Sequence, residues 1–304
     1  MSSLNEQTAY EASMNEILDA ADLNWVIIKA PADTEAVRSA TTVPAEAPEQ
    51  SMLLRSDNQE RLSIVPSTHQ PWQPREVLDF YFALAAFYGW ALERVGHVRG
   101  GRRLWGLLNT GERIALPGGF SATMHVLAST RCDSPLAAQA GAVCVLEPGG
   151  IVLPATPGSP TEARIARSFE FLTPGDLAEI GELVLECTSF PVYLAAFSSR
   201  GVSSDEICKA TAAAYSSRRG GDDVPSPAAL KAITRALGHP SGEANALDLL
   251  HALVTLSDTR NRKRWGQDFR GAAWFGTGLK RKQRAVQALA RMLGASPGPH
   301  TPAC

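Results

Sequence analysis

What this chain lacks narrows its function before anything it contains does. It has no excess of one charge: Lys and Arg number 29, Asp and Glu 31, for a formal net charge of −2. The whole chain is therefore no polycation, and a surface for nucleic acid would have to be local. Apolar runs stop short of the ~20 residues that a bilayer span requires, so no membrane partner is expected. The longest run, Phe80 to Trp90, reads as a buried helix. No basic segment precedes an apolar one at the start, and residues 1–21 hold no Lys or Arg, so neither a secretory nor a mitochondrial address is read there. Cysteine is sparse: Cys132, Cys144, Cys187, Cys208 and Cys304 are odd in number and scattered. Reduced thiols in a cytoplasmic protein are the expectation.

Catalytic signatures are missing too. There is no G-x-G-x-x-G. The segment nearest to a phosphate loop, Gly276–Thr277–Gly278–Leu279–Lys280–Arg281, has the wrong spacing and no hydroxyl after the lysine. Gly119–Phe120–Ser121 lacks the second glycine of a nucleophile elbow. Neither C-x-x-C nor H-E-x-x-H occurs. His125, which alternates with Met124 and Val126 on a strand pattern, reads as a sheet histidine. Asp222 and Asp223, in a loop with Arg218 and Arg219, read as a solvated turn. No catalytic residue, metal ligand or cofactor is assigned from the sequence.

What is present suits a packed protein: 304 residues, 44% hydrophobic and 20% charged. The pattern predicts an α+β fold, an antiparallel β-meander packed on a central helix and followed by a mainly helical C-terminal region. Leu23–Lys29 reads as a strand, and Met52–Arg55 with Arg61–Val65 as a hairpin. Pro74 opens a helix over 75–88, with Val77, Phe80, Tyr81, Leu84 and Phe87 as its core stripe and Gly89 as its stop. Strands follow at Trp90–Val98, Arg103–Leu108, Arg113–Leu116 and Ala122–Ser129, then at 139–145 and 151–153; Asn109–Gly111 is read as a turn. Helices are expected after Thr173, Ser204 and Ser226, over Glu243–Leu256 and over Phe275–Leu293. The domain organisation expected is an acidic segment 1–22, a core 23–153, a linker 154–163, a helical region 164–293 and a tail 294–304.

Charge is segregated along the chain. Residues 1–50 hold nine acidic and two basic residues, while residues 260–291 hold ten basic and one acidic. Such asymmetry concerns partners rather than fold. It points to an anionic ligand near the C-terminal segment, or to a homo-oligomer in which the acidic end of one subunit docks on the basic end of the next. Arg94, Arg99, Arg102 and Arg103 surround the Gly100–Gly101 turn with no acidic residue from 94 to 103. The second cluster is Arg260, Arg262, Lys263, Arg264, Arg270, Lys280, Arg281, Lys282 and Arg284, interleaved with Trp265, Phe269, Trp274 and Phe275. Cations beside flat rings suit a single strand, whose phosphates need neutralising and whose unpaired bases stack. Trp265 is the stacking candidate. Trp105, Trp274 and Phe275 read as core. A solvated basic surface with no ligand remains the rival reading of both clusters.

Four stretches carry a family resemblance: Leu23–Val26; Leu54–Asp57 with Gln70–Glu76; Gly100–Trp105; and Phe269–Trp274. Taken together, the chain resembles an uncharacterised phage/plasmid-like protein family, a domain of unknown function. The likeness runs over residues 23–275, with departures at Trp72, Pro74 and Leu146–Gly149. It implies a layout and a mobile-element setting but no reaction. At the level of fold, the helix, the Gly89–Trp90 pair and the basic meander are similar to single-strand annealing recombinases. The expectation is a non-catalytic protein that binds single-stranded nucleic acid. The alternatives are a regulatory or host-interaction factor that binds another protein, and an enzyme whose site is assembled from distant residues.

Overall fold

The computed structural model describes residues 13–32, 50–155, 163–165, 174–217, 221–238, 244–265 and 269–294. Most of the linker expected at 154–163 and nearly all of the tail expected at 294–304 lie outside these residues. The fold is α+β, with an antiparallel meander sheet, a central helix and a mainly helical C-terminal region. It divides into two compact units. One is Met1–Leu108 with Leu127–Ala140 and Ala163–Leu177; the other is Asn109–Val126 with Gly141–Glu162 and Ala178–Cys304.

In the first unit, a helical stretch over residues 13–20 (α1) precedes a three-stranded sheet. Its strands are β1 (Ile27–Pro31), β2 (Gln50–Arg55) and β3 (Arg61–Pro66), all antiparallel. β1 starts at Ile27, later than the sequence pattern suggests. Just before it, Val26 N–H donates to Ser56 Oγ (3.0 Å) while its carbonyl accepts from the Ser56 amide (3.0 Å), and the Trp25 indole donates to the Asp22 carbonyl (2.8 Å). Helix α2 (Pro74–Tyr88) forms as expected. Gln73 caps it, Glu76 reaches back to the Gln73 amide (2.9 Å), and Gly89 closes it in the left-handed region (φ 68°). Val77, Leu78, Phe80, Tyr81, Leu84 and Ala85 face the core, but Phe87 does not: it is 56% exposed.

The larger sheet has the order β4-β5-β6-β7-β8, with β9 also on β7. Its strands are β4 (Ala91–Val98), β5 (Arg103–Ala115), β6 (Ser121–Arg131), β7 (Ala138–Glu147), β8 (Ile151–Pro154) and β9 (Ala163–Ile165). The turn expected at Asn109–Gly111 is absent, and β5 runs straight through it. Gly111 takes a positive φ of 85° inside the strand, and Thr110 Oγ1 donates to the Met124 carbonyl on β6 (3.0 Å), so the irregularity is absorbed without reversal.

Five helices dominate the second unit: α3 (Pro174–Ser199), α4 (Ser204–Ala214), α5 (Pro227–Leu237), α6 (Ala246–Trp265) and α8 (Thr277–Met292). The short α7 (Phe269–Phe275) precedes the last of them. α4 starts at a Ser203/Glu206 capping box. α6 extends well past the expected end at Leu256: Ser257 and Asn261 pack inside, and Arg260, Arg262, Lys263 and Arg264 are good helix formers. The single last helix expected over Phe275–Leu293 is broken at Gly276. The loop around Asp222 holds a small two-stranded sheet, β10 (Ser216–Ser217) with β11 (Gly221–Pro225). One helical stretch, Glu179–Ser199, is long and apolar enough by length and composition to cross a membrane, a run that the linear sequence reading passes over.

Candidate nucleic-acid interface

The first basic cluster sits at the tip between β4 and β5. Arg99, Gly100 and Gly101 all take positive φ (55°, 66° and 101°), which makes the reversal tight. Gly101 is obligatory there: a Cβ would lie 2.6 Å from the Trp25 ring, at a φ that favours glycine. Arg94 projects with its side chain 58% exposed, 3.8 Å from Glu93. Arg102 donates to the Arg61 carbonyl (3.2 Å), while Arg103 is half-buried. Carboxylates that are remote in sequence come close. Glu60 lies against Gly100, and Asp22 accepts from His97 Nε2 (3.0 Å). The tip is therefore less cationic than residues 94–103 read alone.

Beneath the tip is a group that sequence reasoning missed. The Arg55 side chain is only 4% exposed. It forks onto Asp57 (Nε–Oδ1 3.0 Å, Nη2–Oδ2 2.6 Å), reaches Asp22 Oδ2 (3.2 Å) and donates to the Gly100 carbonyl (3.4 Å). Its guanidinium also packs 4.5 Å from the Trp25 ring centroid. The hydrogen bond to Asp57 raises the Arg55 pKa further and holds the Asp57 carboxyl below its usual range. Trp25, Arg55, Asp57 and Gly100 thus meet at one structural node. A second unanticipated feature closes α2: Phe87 is exposed, it meets Tyr88 edge-on (5.0 Å), and Tyr88 stacks on Trp90 (4.6 Å, 18°).

The second cluster lies in the second unit. Arg262, Lys263, Arg264, Arg270, Lys280 and Arg284 are exposed, while Arg260 and Arg281 are half-buried. Three of the cations close α6, where positive charge complements the helix dipole. The aromatic interleaving is real in space. Arg262 packs over Phe269 (4.6 Å), Arg264 over Trp265 (5.3 Å), and Arg270 near Phe269 and Trp274 (5.7 and 5.8 Å). Arg260 and Arg281 both approach Tyr215 (5.0 and 5.7 Å). Burial pushes the Tyr215 phenol up to about 12, and its hydroxyl donates to the Leu253 carbonyl (2.9 Å). Trp105 and Trp274 are buried, Phe275 is half-buried, and Trp265 is 50% exposed.

Lys282 departs from the expected surface set. Its side chain is 0% exposed, and its ammonium is held by the Val152 carbonyl (2.7 Å) and by Asp258 (Oδ1 2.8 Å, Oδ2 2.9 Å). It sits on the inward face of α8 beside Val286 and Leu289, whereas Lys280 and Arg284, four residues apart, share the outer face. Burial pulls Lys282 down and Asp258 up, and their mutual attraction opposes both shifts. Lys282 is an internal ion pair and is withdrawn from the ligand-contacting residues.

The same unit contains a cavity of about 600 Å³, lined by Phe120, Ala232, Ala236, His251, Thr255 and Leu256 among others. His251 lies against Phe120 (5.0 Å), and Asp248, also at the wall, accepts from the Asn245 amide at the start of α6 (3.1 Å). Its walls combine small apolar side chains with the His251 imidazole, the Asp248 carboxylate and the hydroxyls of Thr255 and Thr259. Among the described residues, no group of three His, Cys, Asp or Glu side chains could hold a metal ion.

No curated protein and no solved structure matches the chain. Residues 61–145, from β3 through most of β7, match the model of a domain of unknown function, DUF932, and in that segment the chain carries a DUF932 domain.

Proposed function

We propose that this protein is a non-catalytic binder of single-stranded nucleic acid, with its main contact surface on α6, α7 and α8. Arg262, Lys263, Arg264, Arg270, Lys280 and Arg284 neutralise phosphates, and Trp265 supplies a face for an unpaired base. The observation that carries this reading is Trp265: a large ring, half exposed, with a guanidinium packed on it, at the end of a helix crowded with exposed cations. Stacking on such a ring tolerates any base, and it needs no metal or nucleotide. The hairpin arginines, with nearby carboxylates, contribute less. On the resemblance over residues 23–275, we place this activity in a phage or plasmid setting, with strand annealing as its use.

The test is binding of a labelled oligo-dT at rising salt. With all six exposed cations engaged, affinity falls by about 300-fold as salt rises fourfold. Trp265→Ala weakens binding about tenfold at any salt. Arg262→Glu with Arg264→Glu both weakens binding and flattens the salt dependence. No binding at low salt, together with salt-sensitive binding to an acidic protein, overturns this reading in favour of a protein partner.

A further inference from the structure

We infer that the start of α8 holds the terminal phosphate of a bound strand, so that the protein distinguishes a phosphorylated end from the interior of a chain. The inference rests on the reading of α6, α7 and α8 as a surface for single strands. Gly276–Thr277–Gly278–Leu279–Lys280–Arg281, which has the wrong spacing for a phosphate loop, is the N-cap and first turn of this 16-residue helix. Lys280 donates the first backbone hydrogen bond of the helix, to the Gly276 carbonyl (3.3 Å). The amides of Thr277, Gly278 and Leu279 precede it and have no acceptor within the helix. Gly276, as the N-cap, has no side chain to supply one, and no Asp or Glu stands in the first turn. Three convergent N–H groups at the positive end of a helix dipole suit an anion. Thr277 is exposed, so this end of the helix opens to solvent.

A second observation comes from another helix. Asn261 on α6 is only 3% exposed, and its Nδ2 has no hydrogen-bond partner among the described residues. That nitrogen lies against the first turn of α8: a Cβ on Gly278 would sit 2.3 Å from it. α6 and α8 run in opposite directions here, with Asp258 on Lys282 as one rung and Asn261 on Gly278 as the next. A buried donor aimed at the donor end of a helix is costly to leave unpaired, and an anion seated there accepts from both. The neighbours select the class of anion. Lys280 is exposed and three residues from Thr277, so the two are neighbours on the helix surface. Trp265, half exposed, follows Asn261 by four residues, about 6 Å further along α6 and on the same side. A ring for a base thus stands one helical turn from the amides, close enough for one nucleotide to reach both. A phosphate within a strand carries one negative charge on two free oxygens. A terminal monoester has three free oxygens and a charge of about −1.5 to −2 at pH 7, and it matches three amides and an ammonium better.

The test compares short oligo-dT strands, labelled at one end, that carry a hydroxyl or a phosphate at the other, with the 5′ and the 3′ end tried in turn. Phosphate at one of the two ends tightens binding about tenfold, and the end that responds gives the polarity of the bound strand. The ratio between phosphorylated and hydroxyl strands is the readout, so a general loss of affinity in a variant cancels. Thr277→Pro removes one of the three amides at a position where a helix accepts proline. It keeps the melting temperature and reduces the ratio to about threefold. Asn261→Asp, nearly isosteric, sets a carboxylate against the anion and abolishes the ratio. If hydroxyl strands bind and phosphate adds nothing, this inference falls and the single-strand reading stands. A ratio unchanged in both variants, or an equal gain at both ends, reports charge alone and also overturns it. If only phosphorylated strands bind, the inference holds and the protein reads strand ends alone; if neither binds, both readings fall.

Discussion

The guanidinium of Arg55 packs 4.5 Å from the ring of Trp25 while it forks onto Asp57, so the end of β2 and the segment before β1 lock together beneath the Arg99–Gly101 turn. Arg55→Met removes the fork and the bond to Gly100 and costs about 2–4 kcal/mol. Arg55→Lys costs roughly half of that, because an ammonium keeps the charge but cannot present the planar fork. Urea unfolding midpoints measure both. Equal costs for the two variants would mean that charge alone matters at this node.

Gly101→Ala strains a left-handed position and drives a methyl group toward Trp25. A loss of about 2–4 kcal/mol is expected. Gly111→Ala is also strained by its φ of 85°, but nothing lies within 4 Å of the new methyl group. Its cost stays near 1 kcal/mol. The difference between the two melting temperatures isolates the contact with Trp25.

Lys282→Met leaves Asp258 buried without its partner, and a loss of about 3–5 kcal/mol follows. The double variant Lys282→Met with Asp258→Leu regains most of it, since two apolar groups replace a pair that had been costly to desolvate. At a temperature where it remains folded, Lys282→Met leaves oligonucleotide affinity unchanged. Lys280→Glu with Arg284→Glu does the reverse: it weakens binding and leaves stability nearly intact.

Acid should destabilise the protein through identifiable carboxylates. The Arg55 hydrogen bond lowers Asp57, and backbone and hydroxyl bonds from Ser203 lower Glu206. Burial raises Asp133, but the charge and hydrogen bonds of Arg131 outweigh it. A carboxylate with a lowered folded pKa contributes stability above its unfolded pKa, near 4, and loses it as pH falls through the folded value. The urea midpoint therefore declines below about pH 4. The gap between wild type and Arg55→Met narrows over the same interval. A constant gap would remove Asp57 from the acid response.

Thiol reactivity reports the fold directly. Burial pushes Cys132 and Cys187 up to about 12 and raises Cys144 further, and all three are buried. A disulfide reagent at pH 8 leaves these three untouched in the native protein and, among the four described cysteines, reaches half-buried Cys208 first. In urea all five cysteines react. Rapid native labelling of Cys144 would contradict the packing of β7.

Local pattern carried much of the fold. The period of α2, its proline and glycine punctuation, the β2–β3 hairpin and the helix starts at Pro174 and Pro227 all follow from short-range chemistry, because caps and turns depend on adjacent residues. The run of cations from Arg260 to Arg284 was equally plain, since charge density needs no coordinates. Tertiary structure decided what each charge does. Lys280 and Lys282 are both lysines in the same helical turn, yet one reaches water and the other meets Asp258 and the Val152 carbonyl inside the fold. The direction of a side chain on a helix depends on what packs against that helix. Arg55, Asp57, Trp25 and Gly100 could not be joined by reading along the chain, because their contacts exist only after β1, β2 and β4 have come together. Three-dimensional packing likewise left Leu185 and Val192 facing out, since Ile180, Leu183 and Phe190 had already filled the inner side of α3.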